Sequence, residues 1–592
     1  MLNDTDDAVG RNVEHWLAVF EQSLSETAGS ALANLFHPKA HWRDLVAFTW
    51  HITTVSGSDE IGEVLGGRAA DVGARRFEID PERAAPRRVV RAGQDVIEGI
   101  FRFETSFGRG SGVLRLLPGQ REGAVMQALT LSTALEELSG FEETTGRRRP
   151  SGESYSRDFR GPNWLDRRKA AIAFTDRDPA VLVVGGGQAG LSIAARLTQL
   201  DIDTLIVDRE ARVGDNWRKR YHALSLHNQV HVNHLPYMPF PPTWPTYIPK
   251  DKIAGWFEAY AEIMELNFWT DTEFLGGSYD TAEGRWTVAL RRGDGQVREM
   301  HPRHLVMATG VSGIPNLPKI PSLKAFTGRT AHSSEFGDSA AWSGRRALVL
   351  GTGTSGHDIA QDLYSHGAAV TLVQRSPTTI VNVEPSAQLP YALYDEGPSL
   401  ADCDLLAASM PYHLLRKTHE IVTAEAMRLD KDLLDGLTRA GFRIDWEDET
   451  GWQFKYLRRG GGYYFNVGCS ELIVSGEIGL VQYDDIETFV PEGARLVDGS
   501  TLQADLVVLA TGYKGQEHQV SQLFGDAIAD RVGHIWGFDP VEQELRNMFV
   551  RTGQPGLWFI AGSFAQCRIY SKYLALQIKA CEEGMISSSR SH

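Results

Sequence analysis

One local pattern occurs twice in this chain, and it constrains the fold more than any other feature. VLVVGGGQAGLSIAARL spans residues 181–197 and ALVLGTGTSGHDIAQDL spans 347–363. In each, an apolar run suits a strand buried on both faces, three glycines follow in G-x-G-x-x-G spacing, and a helical pattern closes the unit. The glycines are Gly185, Gly187 and Gly190 in the first unit and Gly351, Gly353 and Gly356 in the second. The first permits a tight turn, the second lets a pyrophosphate approach the backbone, and the third lets helix and strand pack closely. The helix N-terminus then offers free N–H groups and a positive dipole to phosphates. Gln188 and Ala189 open the first helix, and Thr354 and Ser355 the second.

Two units predict two dinucleotide sites, and the strand after each one indicates which nucleotide is read. DTLIVD (203–208) ends in Asp208, with Arg209 next. A carboxylate there accepts both ribose hydroxyls and repels a 2′-phosphate, so this site suits FAD or NAD. AAVTLVQRS (368–376) carries Gln374, Arg375 and Ser376 at the same place. A guanidinium clamps a phosphate bidentately and a hydroxyl adds a donor. Such a contact is worth ~1.5–3 kcal/mol, a ten- to hundred-fold preference for NADPH over NADH.

Two later strands end in Ala-Thr-Gly: LVMATG (305–310), with Thr309 and Gly310, and LVVLATGY (506–513), with Thr511 and Gly512. The pairing of an early glycine-rich turn with such segments resembles flavoproteins with two dinucleotide-binding domains. So does GLWFIAGSFAQ (556–566), whose Gly562 falls where that class brings the chain close to the flavin. The resemblance makes the first site FAD and leaves NADPH to the second.

The chain has 592 residues, enough for several domains. A net charge of −16 argues against nucleic acid or an anionic membrane as partner. The four cysteines show no C-x-x-C spacing, so neither a disulfide framework, a zinc site nor a flavin-adjacent redox pair is expected. MLNDTDDAVGRN is not a secretory signal, and no apolar run approaches the ~20 residues of a membrane span. A soluble, cytoplasmic enzyme is expected; it could be a homodimer, and no metal is called for.

Residues 1–140 read as a separate α+β unit. A helix is expected from Asn12 to Thr27, with Trp16, Phe20 and Leu24 on one stripe, and FRFETSF (101–107) alternates like a strand. FHPKAHWRDLVAFTW (36–50) resembles the start of NTF2-like (SnoaL-like) cone domains. His41, Arg43 and Asp44 are either ligand contacts in such a cone or turn contacts in a domain that caps or dimerises. Residues 141–178 have linker composition, with an RRRP cluster at 147–150. The expected fold class is α/β, two Rossmann-like dinucleotide-binding domains preceded by the NTF2-like domain. The FAD-binding domain is expected over 179–330 and 480–592, and the NADPH-binding domain over 331–479.

FTGRTAHSSEF (326–336) has the spacing Phe326-x-Gly328-x-x-x-His332-x-x-x-Phe336, which resembles the fingerprint of class B flavin-containing monooxygenases. GDNWRKRYHALSLH (214–227), LPYMPFPPTWPTYIPKDKIAGWFEAYA (235–261) and GGYYFNVGCSELIVSGEI (461–478) are similar to plant-type, YUCCA-like indole-3-pyruvate monooxygenases. The resemblance covers roughly 175–585. It implies that NADPH reduces the flavin, that O2 adds at C4a to give a hydroperoxide, and that a small substrate takes one oxygen atom. It also implies that His332 helps set the linker between the two folds. Aligned from Gly214 and Trp217, His227 falls where many relatives place an Asn near C4a, with Asn228 next; either lines the oxygen-reacting face. Candidate substrates are a 2-oxo acid, decarboxylated oxidatively, or a soft nitrogen or sulfur nucleophile. Baeyer–Villiger chemistry is the alternative, weakened because YYFNVGC offers no Arg and Phe336 is not followed by Trp-Pro. A further alternative is a non-oxygenating NADPH-linked flavoprotein with a ligand-binding N-terminal domain.

Overall fold

The computed structural model describes residues 3–26, 29–118, 126–150 and 160–590. The N-terminal unit opens with the helix Asn3–Ser25, which starts earlier than its apolar stripe because the stripe begins only at Val9 and Val13. Seven strands follow in one sheet, antiparallel except where Phe36–Leu45 runs beside Ala128–Leu138. The alternation in FRFETSF has a structural counterpart on the neighbouring strand. Phe101 lies opposite Gly112 and Phe103 opposite Gly110, where a Cβ would fall 2.1 and 2.2 Å from the rings. With Trp16, Phe20 and Phe77 these rings fill the concave face of the sheet with aromatic core.

Asp44 is fully buried and accepts from the N–H groups of Ala47, Phe48 and Thr49 and from the Thr133 hydroxyl, so it is a turn contact. His41 and Arg43 point away from the core, His41 stacking on His413 and Arg43 pairing with Glu544. The expected linker holds more structure than its composition indicated: Trp164–Ala173 is a helix with an Asn163/Asp166 capping box. The middle of that linker, 151–159, and the first two residues of MLNDTDDAVGRN lie outside the described residues.

Two parallel sheets follow. The first has the order Phe268–Trp269, Thr204–Val207, Val181–Val184, His304–Met307, Leu557–Phe559. The second has the order Arg329–His332, Leu506–Leu509, Arg346–Leu350, Ala369–Gln374, Gly479–Gln482. The second sheet corrects the expected boundary at residue 480. Leu506–Leu509 is an apolar strand buried in the middle of the second sheet, so that fold keeps the chain to about residue 510. The first fold resumes with Glu517–Phe524, whose Phe524 packs on Phe274 and Trp286. It ends with the helix Phe564–Glu582, packed on Gln188–Gln199.

The poorly patterned stretch between Thr379–Asn382 and Tyr463–Asn466 forms a cap. It comprises a 3-10 segment, Ser386–Asp395, and the helices Leu400–Ala408, Tyr412–Leu429, Lys431–Arg439 and Gly451–Arg459. The N-terminal unit packs against this cap, with Ala92, Val96 and Leu129 forming one apolar cluster with Leu414.

Candidate active site

The two glycine-rich units are matched bond for bond. Gly185 N–H donates to Val207 O at 2.9 Å and Gly351 N–H to Val373 O at 3.0 Å. Ala308 N–H donates to Val184 O and Ala510 N–H to Leu350 O, both at 2.8 Å. Gly185 and Gly351 have φ of +108° and +116°, and a Cβ on either would meet the Ala308 or Ala510 carbonyl at 2.6 or 2.2 Å. The two Ala-Thr-Gly segments are therefore one per fold, each backing its own glycine turn. Both helices begin at a glycine without a side-chain cap, which leaves their first N–H groups free for an anion.

A cavity of about 860 Å³ runs along the first fold. Gly185, Gly187, Gln188, Ala189, Asp208, Arg209, Thr309 and Gly310 line it. Gly190 lies behind them, its Cβ position 1.9 Å from Gly185 O. Asp208 accepts from the N–H of Gly186 at 2.6 Å and of Glu210 at 2.9 Å, and burial, partly offset by these bonds, raises its carboxyl above the usual range. A second cavity, about 640 Å³, lies beneath the cap. The two share Gln188, Trp217, Val311 and Gly562. At this joint the buried Trp217 Nε1–H has no hydrogen-bond partner. The elongated cavity, the open helix end and the orphan donor fit a flavin nucleotide with its ring system at the joint.

His227 and Asn228 both line the second cavity. Asn228 Nδ2 donates to the Tyr391 hydroxyl at 3.0 Å, and the His227 ring packs edge-on against Phe465. Burial lowers His227 to about 4, so its imidazole is neutral at working pH. His357, stacked on Tyr464 at 4.1 Å, and His419 are lowered to about 4 by the same cause. Unfolded imidazoles titrate near 6.5, so between pH 6.5 and 4 the unfolded chain binds more protons and stability falls as pH falls. A melting series across this window should show that decline, and His357→Phe, which keeps a ring against Tyr464, should remove about 3 kcal/mol of it.

At the second fold, Arg375 is exposed, its Nε 3.4 Å from Ser376 Oγ, with no carboxylate paired to it among the described residues. Gln374 departs from the expectation of a ribose reader. It is fully buried, donating to Arg443 O at 2.9 Å and accepting from Arg443 N–H at 2.8 Å. Gln374 is the last residue of a strand buried on both faces, and Arg375 and Ser376 lie beyond its end, exposed.

Thr511, Gly512 and His332 lie where the chain passes between the two folds. The Thr511 hydroxyl donates to Asn316 O at 2.7 Å, and Gly512 O accepts from Asn316 N–H at 2.9 Å. His332 Nδ1 accepts from Ser334 N–H at 3.2 Å, which puts the ring proton on Nε2, and Nε2–H donates to Gly512 O at 3.2 Å. None of the three lines either cavity. The strands that carry or precede them, Arg329–His332 and Leu506–Leu509, are neighbours in the second sheet. Conversely, sequence reasoning missed Tyr391 and Gln566. Tyr391 sits in a segment without periodicity; Gln566, which accepts from Tyr456 OH at 2.9 Å, was legible as a capping-box residue three after Ser563.

A class emerges from this geometry: a flavoprotein with two dinucleotide folds and a capped cavity where the two meet. A family profile described as pyridine nucleotide-disulphide oxidoreductase matches residues 182–393. The indole-3-pyruvate monooxygenase YUCCA1 of Oryza sativa subsp. japonica is 31% identical over 338 residues, 57% of this chain and 77% of that protein. The probable indole-3-pyruvate monooxygenase YUCCA4 of Arabidopsis thaliana is 30% identical, over 57% of this chain and 76% of that one. Among solved structures, cyclohexanone monooxygenase from Rhodococcus sp. Phi1 bound to NADP+ matches with a TM-score of 0.52 at 16% identity, covering 69% of this chain and 85% of that one; this likeness concerns the fold alone. The chain belongs to the flavin-dependent monooxygenase family that includes these indole-3-pyruvate monooxygenases, and is an FAD- and NADPH-dependent monooxygenase. Disulfide chemistry, which the profile's description mentions, has no support here. All four cysteines are free, and burial pushes Cys403 up to about 11, Cys581 up to about 12, and Cys469 and Cys567 higher still. No helix among the described residues is long and apolar enough to cross a membrane.

Proposed function

We propose that the 640 Å³ cavity is where a small organic substrate receives one oxygen atom of O2, with FAD along the first cavity and NADPH docked on the second fold. The observation that carries this reading is the joint at Gln188, Trp217, Val311 and Gly562, with Thr354, from the second fold's helix, also lining the substrate cavity. The chemistry that FAD and NADPH supply when bound is two-electron transfer and activation of O2. The protein's part is binding, orientation and exclusion of water. Gly185, Gly187 and the first N–H groups of Gln188–Gln199 would hold the flavin pyrophosphate, and Asp208 its ribose. Gly353, Thr354 and Ser355 would take the pyrophosphate of NADPH, and Arg375 and Ser376 its 2′-phosphate.

Asn228, whose amide is oriented by Tyr391, would present a fixed polar edge to the flavin. His227, held neutral, would add a second polar group without adding charge. The Trp217 indole N–H would find its partner on the bound flavin. The N-terminal unit reads as an NTF2-like domain serving as a cap, since aromatic side chains fill its concave face. A cytoplasmic location accords with four free thiols.

The purified protein should be yellow, and NADPH should bleach it anaerobically far faster than NADH. Arg375→Ala should lower the NADPH bleaching efficiency about ten- to hundred-fold and leave NADH within twofold. An equal loss with both nucleotides would refute the assignment of Arg375 to the 2′-phosphate.

A further inference from the structure

The substrate cavity is not built from the monooxygenase folds alone. Arg43, Val90, Arg91, Ala92 and Arg115, all from the N-terminal unit, line it on the side of the cap. Arg43 and Arg115 are buried in the wall, whereas Val90 is 61% exposed and stands at the rim. Three guanidiniums beside a cavity would ordinarily mark an anion site. Here each lining guanidinium already contacts a carboxylate, Arg43 that of Glu544, and Arg91 and Arg115 those of Glu98 and Glu396, which also take Arg87 from outside the cavity.

Arg43 Nε and Nη2 donate to the two carboxylate oxygens of Glu544 at 2.8 and 2.7 Å, and its Nη1 donates to Ala408 O at 2.5 Å. Arg115 Nε donates to Glu98 at 2.8 Å and its Nη2 to Leu406 O at 3.3 Å. Arg91 lies between two carboxylates, with contacts of 2.8 and 2.9 Å to Glu98 and 2.7 Å to each oxygen of Glu396. Burial would raise the Glu98 carboxyl, but Arg115 and Arg91 outweigh it and hold it down at about 2, so the counter-charge stays in place at working pH. The cavity histidines, His227 and His419, are neutral. Much of the remaining wall is aromatic or aliphatic, including Tyr391, Tyr412, Leu415, Trp452, Phe465 and Phe538.

A carboxylate entering this cavity would shed its water and find every lining arginine already held by a protein carboxylate, which is a net cost. An uncharged molecule pays no such cost and gains from apolar burial. We propose that the N-terminal domain is the specificity wall of the active site, and that its paired arginines select uncharged, largely apolar substrates over carboxylate-bearing ones. This rests on the monooxygenase reading and narrows it: of the two substrate classes, the soft uncharged nucleophile is favoured over the 2-oxo acid.

The test uses the full-length flavin-loaded enzyme with methyl phenyl sulfide and phenylpyruvate as probes, each scored for binding by flavin fluorescence and for oxygenated product. The wild type should favour the sulfide at least about tenfold in kcat/KM. Glu396→Gln leaves Arg91 and Arg87 with one shared carboxylate fewer, and Val90→Lys adds a cation at the exposed rim. Each should raise the ratio of phenylpyruvate to sulfide binding about fivefold over the wild type. Wild-type binding of phenylpyruvate equal to or better than that of the sulfide, absent sulfide binding, or no shift in either variant would overturn the inference. Flavin that NADPH cannot reduce would instead overturn the monooxygenase reading. Reduction by NADPH at the normal rate without the substrate preference would sink the specificity wall alone.

Discussion

Gly190→Ala is expected to yield protein without flavin, and Gly356→Ala protein that keeps its flavin but is reduced by NADPH at least about a hundredfold more slowly. The added methyl would fall 1.9 Å from Gly185 O in the first case and 2.0 Å from Gly351 O in the second. Neither carbonyl has room to retreat. Gly185 is tied to Val207 O and would press on Ala308, while Gly351 is tied to Val373 O and would press on Ala510. Relief requires the helix to move off the turn, and that displaces the N–H groups that face the pyrophosphate. A hundredfold loss corresponds to ~2.7 kcal/mol, less than a contact at 2 Å would cost if unrelieved. Visible absorbance per mole of purified protein reads the first variant, and stopped-flow anaerobic reduction reads the second. Dithionite reduction and circular dichroism serve as controls for folding. Should folded Gly356→Ala also lose its flavin, the division of labour between the two units would be wrong.

That division was legible in sequence because it depends on local geometry. Gly185, Gly190, Gly351 and Gly356 each answer to atoms within one strand-turn-helix unit or the strand beside it, so the spacing carries the information. The places of Asp208 and Arg375, each directly after the end of its unit's second strand, were legible for the same reason. Gln374 was not legible as a buried residue, because where the strand ends and the chain emerges from the sheet is decided by its neighbours, here Arg443, and not by the local pattern. Thr511 and Gly512 carried the same tripeptide as Thr309 and Gly310, yet only sheet order reveals that their strand sits between Arg329–His332 and Arg346–Leu350. The cavity's outer wall left no local trace at all. Arg43 meets Ala408 in the cap and Glu544 beyond it, across 365 and 501 residues, in stretches with no repeating motif. Such contacts are fixed by tertiary packing, and no spacing rule reaches them.

Arg43→Ala is expected to be the most damaging single change outside the nucleotide turns, because it leaves a buried carboxylate without its partner. The Arg43 and Glu544 side chains are each only 9% exposed, and the pair is bidentate. Burial alone would lower the Arg43 pKa, but Glu544 and Tyr570 outweigh it and raise it, so the guanidinium keeps its charge. Thr54 also donates to Glu544 at 2.7 Å, which ties two strands of the N-terminal sheet to one acid. Breaking one side of such a pair typically costs ~3–5 kcal/mol, whereas replacing both sides with apolar groups of similar volume can be nearly neutral. Arg43→Ala should therefore lower the melting midpoint by several degrees, and Arg43→Met with Glu544→Leu should recover most of the loss. The functional consequence follows from what the pair holds. With Arg43 gone, the N-terminal wall loses its grip on Ala408 O as well as on Glu544, and water gains access to the cavity. Anaerobic reduction by NADPH should stay within twofold, since the nucleotide folds are untouched, while peroxide released per NADPH consumed should rise severalfold. A matching fall in the reduction rate would mean that the N-terminal domain supports the nucleotide folds themselves rather than the closure of the cavity between them.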